Sequence, residues 1–375
     1  MSSERFDVTY LSADSIQEGV GSSQITPLVL GLANEGVKVQ LICLEKKSLS
    51  TELKEVFQEA GVSLLVKDFG SFGPVGGLGR ILRLSSSVKE SRMIHGRSDM
   101  GTAAGILGQM DKPVLWDVRS LWSDQRLAIG NQGWNNFTAK GARVLESLSA
   151  RKASAMTTLT AAVIPVLEER HRVLPKVQEV IPTCVQTDKF YQSPMPKLPL
   201  TCLMSGTFNT FYDLERTRQV IKAIREFTDL RVLWARPTES STKSLGLGEE
   251  IINATRHEDM PGLVATSHFG IAICKQDDLK TLSAAVPTKI GEFLASGRPM
   301  LVSKGIGDLD GMLGSNRAGI IIGHKDDLDG IALQLMDLVF DVDTPTRCRE
   351  LSMREFNMTS AVRKYLSVYK KLIEL

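Results

Sequence analysis

Short apolar runs alternate with longer stretches of helical spacing along the whole chain. FDVTYLS, KVQLICL, VSLLV, RMIHG, PVLWDV, AMTTL and QEVIP predict strands in the first half. Between them, SQITPLVLGLANEG and TAKGARVLESLSARKAS carry apolar residues at the period of an amphipathic helix, and Gly36 marks the end of the first. Strand and helix alternating in this way predict parallel strands joined by right-handed crossovers, a doubly wound α/β sheet. The pattern breaks where Pro194, Pro196 and Pro199 crowd a polar stretch, since proline donates no backbone hydrogen bond and restrains its predecessor. A second series then begins with LTCLMSG, LRVLWA, FGIAICK, RPMLVSK and AGIIIG. The expected organisation is a Rossmann-like domain over 1–188, a linker at 189–199 and a second Rossmann-like domain over 200–357. SAVRKYLSVYKKLIEL predicts an amphipathic helix, which is expected to join the first domain as 358–375.

Composition narrows the function classes. Apolar residues make up 42% of 375 and charged residues 23%, the balance of a globular chain with real cores. Forty-five Lys plus Arg against 43 Asp plus Glu leave a net charge of +2, with no basic block to hold nucleic acid. No apolar run reaches the roughly 18 residues of a bilayer span, and MSSERFDVTYLS lacks the pattern of a signal peptide. Five scattered cysteines without CxxC spacing predict neither zinc nor a disulfide framework, and a cytoplasmic setting is expected.

Ligands of open parallel sheets bind beyond the carboxyl ends of the strands, near helix N-termini. After the first strand, Gly19 and Gly21 precede a helix and would let backbone N–H groups approach an anion, although taken alone the two glycines read better as a plain turn. The third glycine of a dinucleotide fingerprint is missing, and no P-loop lysine follows. HGRSDMG and DVRSLWSDQR put His95, Arg97, Asp117, Arg119 and Asp124 on one edge of the first sheet. Asp117 enters a buried strand end and needs a cationic partner, which Arg119 or Arg97 supplies. In the second half, Pro287 opens a helix with Lys289 in its first turn and Glu292 three residues on. The free amides of such a helix start suit a diphosphate, and Glu292 suits ribose hydroxyls. The same two residues also read as an ordinary surface i,i+3 pair.

PTKIGEFLASGRPMLVS resembles the signature helix of family-4 glycosyltransferases of the GT-B type, matching its Glu, Ala, Gly and Pro at Glu292, Ala295, Gly297 and Pro299. EGVGSSQITPLVLGLANEGVKVQLICLEK is similar to the family's glycine loop, first helix and second strand. IHGRSDMGTAAG, PVLWDVRSLWSDQR, VIPTCVQTDKF, SGTFNTFYD and GIGDLDGML resemble later stations in the expected order, those of a bacterial branch acting on surface glycans. Ala284 stands where the family commonly has a donor-sugar Glu, and Arg119 where it often has a His.

The resemblance implies a GT-B fold, two Rossmann-like domains facing a central cleft. It implies a glycosyltransferase that works with retention and without a metal, taking a nucleotide sugar (UDP- or GDP-linked) as substrate and needing no cofactor. The donor would be held by Gly19, Gly21, Arg236, Lys243, Thr288, Lys289 and Glu292. Asp117, Arg119 and His95 would be catalytic on the acceptor side, supported by Arg97 and Asp124. The acceptor would be a glycan, a lipid-linked glycan or a small molecule. Segment 69–92, an apolar glycine-rich tip running into a basic helix, raises peripheral membrane contact beside the plainer reading of a loop and core helix. A nucleotide-sugar epimerase and a nucleotide-sugar binder without catalysis remain open beside the transferase, and a nicotinamide-dependent oxidoreductase fits least.

Overall fold

The computed structural model describes residues 6–88, 91–128, 134–207, 211–236, 244–253, 257–276 and 279–375. The chain divides into two compact units, Met1–Pro182 with Met358–Leu375, and Thr183–Asn357. The first holds β1 (Phe6–Ser12), β2 (Val39–Glu45), β3 (Ser63–Asp68), β4 (Ser91–Arg97), β5 (Val114–Val118), β6 (Ala155–Thr158) and β7 (Val177–Val180). All pair in parallel, in the order β3-β2-β1-β4-β5-β6-β7. β2 is buried along its whole length, which is why it is apolar at every position but Gln40 and Glu45. Leu11, Ile42, Leu44 and Ile94 of the sheet close with Ile81, Leu84 and Ala104 of the helices into one core. The strand order reverses between β1 and β4, the topological switch point at which open sheets leave a crevice.

The second unit repeats the plan with β8 (Leu200–Ser205), β9 (Leu230–Arg236), β10 (Glu250–Asn253), β11 (Phe269–Ala272), β12 (Met300–Ser303) and β13 (Gly319–Ile322). Its parallel order is β10-β9-β8-β11-β12-β13, with the switch point between β8 and β11. Trp234, Phe269 and Leu301 pack there against Val220, Ile221 and Ile224 of the Leu214–Phe227 helix, which Asp213 caps by accepting from Arg216 N at 2.9 Å.

The boundary at Pro182 precedes the expected 188, and the residues expected to end the first domain and form a linker are tied into the second unit. Arg349 donates to the carbonyls of Thr187 and Phe190, and Arg298 to Ser193 O, Ser193 Oγ and Pro194 O. A proline-rich stretch has few backbone donors of its own, so its carbonyls are free to be collected by guanidinium forks. The helix Met358–Leu372 returns to the first unit, where Val362 meets Gly31.

Candidate functional site

In the first unit the loop after β1 is folded back on itself. Glu45, at the end of β2, accepts from Ser15 Oγ at 2.7 Å and from Ile16 N at 2.6 Å. That turn brings Ser15 so near to Gly21 that a Cβ at position 21 would fall 1.6 Å from the Ser15 carbonyl oxygen. Gly19 has φ +57, a conformation side chains rarely adopt. Both glycines are therefore required by the turn, and the helix that follows starts as one π-type turn, Gly21–Ile25, before Thr26–Asn34.

Asp117, at the end of β5, is the hub of a buried polar cluster. Its Oδ1 accepts from Thr157 Oγ1 at 3.0 Å and from Tyr365 Oη at 3.1 Å, with Arg119 Nη1 at 3.5 Å. Its Oδ2 faces His95 Nε2 at 3.4 Å and Arg97 Nη1 at 3.9 Å. An acceptor-only carboxylate opposite Nε2 places the imidazole proton there, so Nδ1 accepts from the Tyr369 hydroxyl, 2.6 Å away. Burial would raise the Asp117 pKa, but Arg119 first, then His95 and Arg97, hold it well below the carboxylate range. Burial lowers the His95 pKa against the pull of Asp117, which keeps the ring neutral. Tyr10, its ring tilted against that of His95 at 4.3 Å, has its pKa pushed up to about 12 by burial.

His95, Arg97, Asp117 and Arg119 thus come together as expected, but their surroundings differ from the expectation. His95 and Asp117 are fully enclosed and face one another. Arg97 is also buried, with its Nε donating to Asp14 Oδ2 at 3.0 Å. Arg119 keeps 10% of its side chain exposed and reaches Gln24 Oε1 at 3.5 Å, so it carries the cluster's charge to the surface. Asp124 is elsewhere. Arg170 grips both of its oxygens at 2.8 and 2.9 Å and Arg143 adds contacts at 3.4 Å, so its carboxylate is committed to joining three helices. Tyr10, Thr157, Tyr365 and Tyr369 were not foreseen. Two of them sit on a helix more than 240 positions from Asp117, and no local spacing signals such a contact.

In the second unit the helix Thr288–Ala295 starts at Pro287 with no side chain capping its free amides. Lys289 Nζ donates to Ser205 O at 2.5 Å, at the end of β8, and lies 4.7 Å from the Tyr212 ring. That contact sets the ammonium at the β8/β11 switch point, next to Gly206. Glu292 is buried one turn on, with Oε1 2.8 Å from His257 Nε2, and His257 in turn faces the Phe190 ring at 5.6 Å. His257 lies in a short turn after an edge strand, where nothing in the sequence sets it apart. Arg236 ends β9 over the Trp234 ring at 5.1 Å, with Nε 3.4 Å from Asn253 Oδ1. Lys243 lies outside the described residues, as do 208–210 and 237–242. Ala284 is buried. Among the described residues, no group of three or more His, Cys, Asp or Glu is placed to hold a metal ion.

No protein-family model and no curated protein sequence matches the chain. Solved structures do. Sucrose-phosphate synthase from Thermosynechococcus elongatus superposes with a TM-score of 0.72 at 13% identity, over 97% of this chain and 98% of that one. The Anabaena protein HepE, solved in complex with UDP and glucose, gives 0.71 at 12% identity over 98% and 100%. WaaG, a glycosyltransferase involved in lipopolysaccharide biosynthesis, gives 0.65 at 11% identity over 98% and 100%. With two parallel sheets in the strand orders above and a likeness that spans nearly the full length of each, the chain has the GT-B fold of these enzymes.

Proposed function

We propose that the chain is a glycosyltransferase that uses a nucleotide-diphosphate sugar. The observation that carries the reading is the Thr288–Ala295 helix, whose uncapped start and Lys289 lie at the β8/β11 switch point with Glu292 one turn on. Uncapped amides and an ammonium favour a diphosphate, most of all as charge grows on it during departure from the sugar. Glu292, with one oxygen on His257, has a second oxygen for ribose hydroxyls. HepE has been solved with UDP-glucose, which supports a UDP-sugar as the first donor to try. Arg119 is the group we assign to the acceptor, with Asp117 and His95 holding it from behind. The acceptor is a glycan, a lipid-linked glycan or a small molecule, and transfer proceeds with retention and without a metal. Five buried cysteines, none of them in a disulfide, support a reducing, cytoplasmic setting.

Calorimetric titration with UDP- and GDP-sugars tests the donor site. The parent should bind one class, gaining roughly 2.7 kcal/mol of stability at 100 times the dissociation constant. Glu292→Gln and Lys289→Ala should each weaken binding by about tenfold or more. Unchanged affinity in both variants removes the assignment. Interconversion of the free donor without any acceptor would make the protein an epimerase instead.

A further inference from the structure

The helix Gly73–Ser85, which follows the edge strand β3, carries a second apolar face turned to solvent. Toward the core it buries Ile81 and Leu84, and with them Arg80, whose guanidinium donates to Ser71 O at 2.6 Å and lies 4.5 Å from the Phe69 ring. Toward solvent it turns Val75, Leu78 and Leu82, which are 84%, 58% and 54% exposed, and Phe72 before its first turn is 73% exposed. At 100° per residue these four fall within a stripe roughly 120° wide. A solvent-facing helix surface ordinarily carries the polar residues, and this one carries Val75, Leu78 and Leu82 outward while Arg80 is buried.

The rim of the stripe is cationic. The helix contains two arginines and no acid. Arg83 is exposed and lies along the edge of the stripe, where a Cβ added to Gly79 would stand 3.2 Å from its Nη1. Lys46 Nζ sits 4.8 Å from the Phe72 ring and 5.0 Å from that of Phe69. Arg126 is near enough that its charge, like that of Arg83, adds to burial in lowering the Arg80 pKa. Asp68, exposed at the end of β3, is the acid next to this group along the chain. The wider basic segment expected over 69–92 contributes less, since Arg92 faces Asp7 at 3.4 Å and Lys89 lies outside the described residues.

We propose that this face docks on an anionic lipid bilayer. Phe72, Val75, Leu78 and Leu82 enter the boundary between headgroups and acyl chains, while Lys46 and Arg83 meet the headgroup charge. The rim selects this occupant over a second copy of the chain. A two-fold dimer through the same patch would set the basic rim against itself, whereas anionic headgroups complement it. The docking surface stands on its own observations and does not depend on the reaction proposed above.

Flotation with vesicles tests it, using phosphatidylcholine alone and phosphatidylcholine mixed with phosphatidylglycerol. The full chain should float with the mixed vesicles at low salt, and less so with neutral ones or at high salt. Two pairs of substitutions, Val75→Asp with Leu82→Asp and Lys46→Glu with Arg83→Glu, should each cut the partition by about tenfold or more. All four positions are solvent-facing, so unaltered thermal unfolding should accompany the loss. The proposal is overturned if the parent stays in solution with mixed vesicles at low salt, or if both variants float as the parent does. It is equally overturned if size-exclusion chromatography shows a dimer that the aspartate variant dissolves while neither protein binds vesicles.

Discussion

Two buried carboxyl groups of the first unit, Asp117 and Asp99, have opposite fates because their partners differ. Asp117 faces two guanidiniums and a neutral imidazole and keeps its charge. Asp99 accepts from Trp116 Nε1 at 2.9 Å, and burial first, then the nearby Glu146, push its pKa up to about 8. Native Asp99 therefore holds a proton up to about pH 8, while an unfolded aspartate releases it near pH 4. In that window the native state binds the extra proton, so the contribution of Asp99 to stability falls as pH rises from about 4 through 8. His95 acts at the acid end. Its lowered pKa means that the unfolded state is protonated first below about 6.5, and stability falls with acid there. Asp117, with a depressed pKa, adds an acid-side loss only below about pH 4. Asp99→Asn keeps an acceptor for Trp116 and cannot ionise. The melting temperature of the variant minus that of the parent should grow steadily from pH 5 to pH 8, since the His95 effect is common to both. Parallel profiles across that range would refute the protonated state of Asp99.

At the scale of elements, the stretch before β8 is held by an arginine that follows the Thr288–Ala295 helix. Arg298 is wholly enclosed, its pKa pushed down to about 10 by burial, and it donates to Ser193 O, Ser193 Oγ, Pro194 O and Ala265 O. Arg298→Leu would fill the volume but strand those acceptors, at about 1–3 kcal/mol for each one that water does not reach. We expect the second unit to lose roughly 3 kcal/mol or more. Hydrogen exchange should speed up in 187–199 before it does in β8, and uniform protection would count against the staple. The sequence read these elements well where the pattern was strong. Among the described residues, twelve of the thirteen strands were predicted from apolar runs. β10 was not, because Glu250–Asn253 is an edge strand whose residues are mostly exposed, and an exposed edge has no apolar signature. The hydrogen bonding of 189–199 was out of the sequence's reach for a related reason. Prolines and polar residues announce irregular backbone, but whether guanidiniums collect its carbonyls depends on Arg298 and Arg349, each more than 100 positions away. The Asp117–Arg119 pair was legible because both lie on one strand end, whereas Asp124 shares that stretch and points into another network.

On the scale of the molecule, the chain leaves the first unit at Pro182, builds the second and comes back at Met358, so the first unit's core cluster is finished by its last helix. Tyr365 and Tyr369, one turn apart on that helix, supply hydroxyls to Asp117 and His95, and their rings stand 5.1 and 5.9 Å from the imidazole. The helix is thus anchored twice, by apolar burial of Ala361, Val362 and Val368 and by two hydrogen bonds into a charged pocket. Tyr365→Phe leaves Asp117 Oδ1 with Thr157 and Arg119, so its cost should be about 1 kcal/mol. Tyr369→Phe is harsher. It strips the buried His95 Nδ1 of its partner, which should cost about 1–3 kcal/mol. Because the two side chains act on one coupled group, the double variant should lose an amount different from the sum, by about 0.5 kcal/mol or more. Denaturant unfolding of the four proteins measures this, and strict additivity would mean that the two hydroxyls serve separate sites. The pH dependence gives a second reading. If Tyr369 is what holds His95 as its neutral, Nε2-protonated form, removing it should let the ring protonate at higher pH, and the acid-side loss of stability that His95 causes should shrink in Tyr369→Phe and persist in Tyr365→Phe.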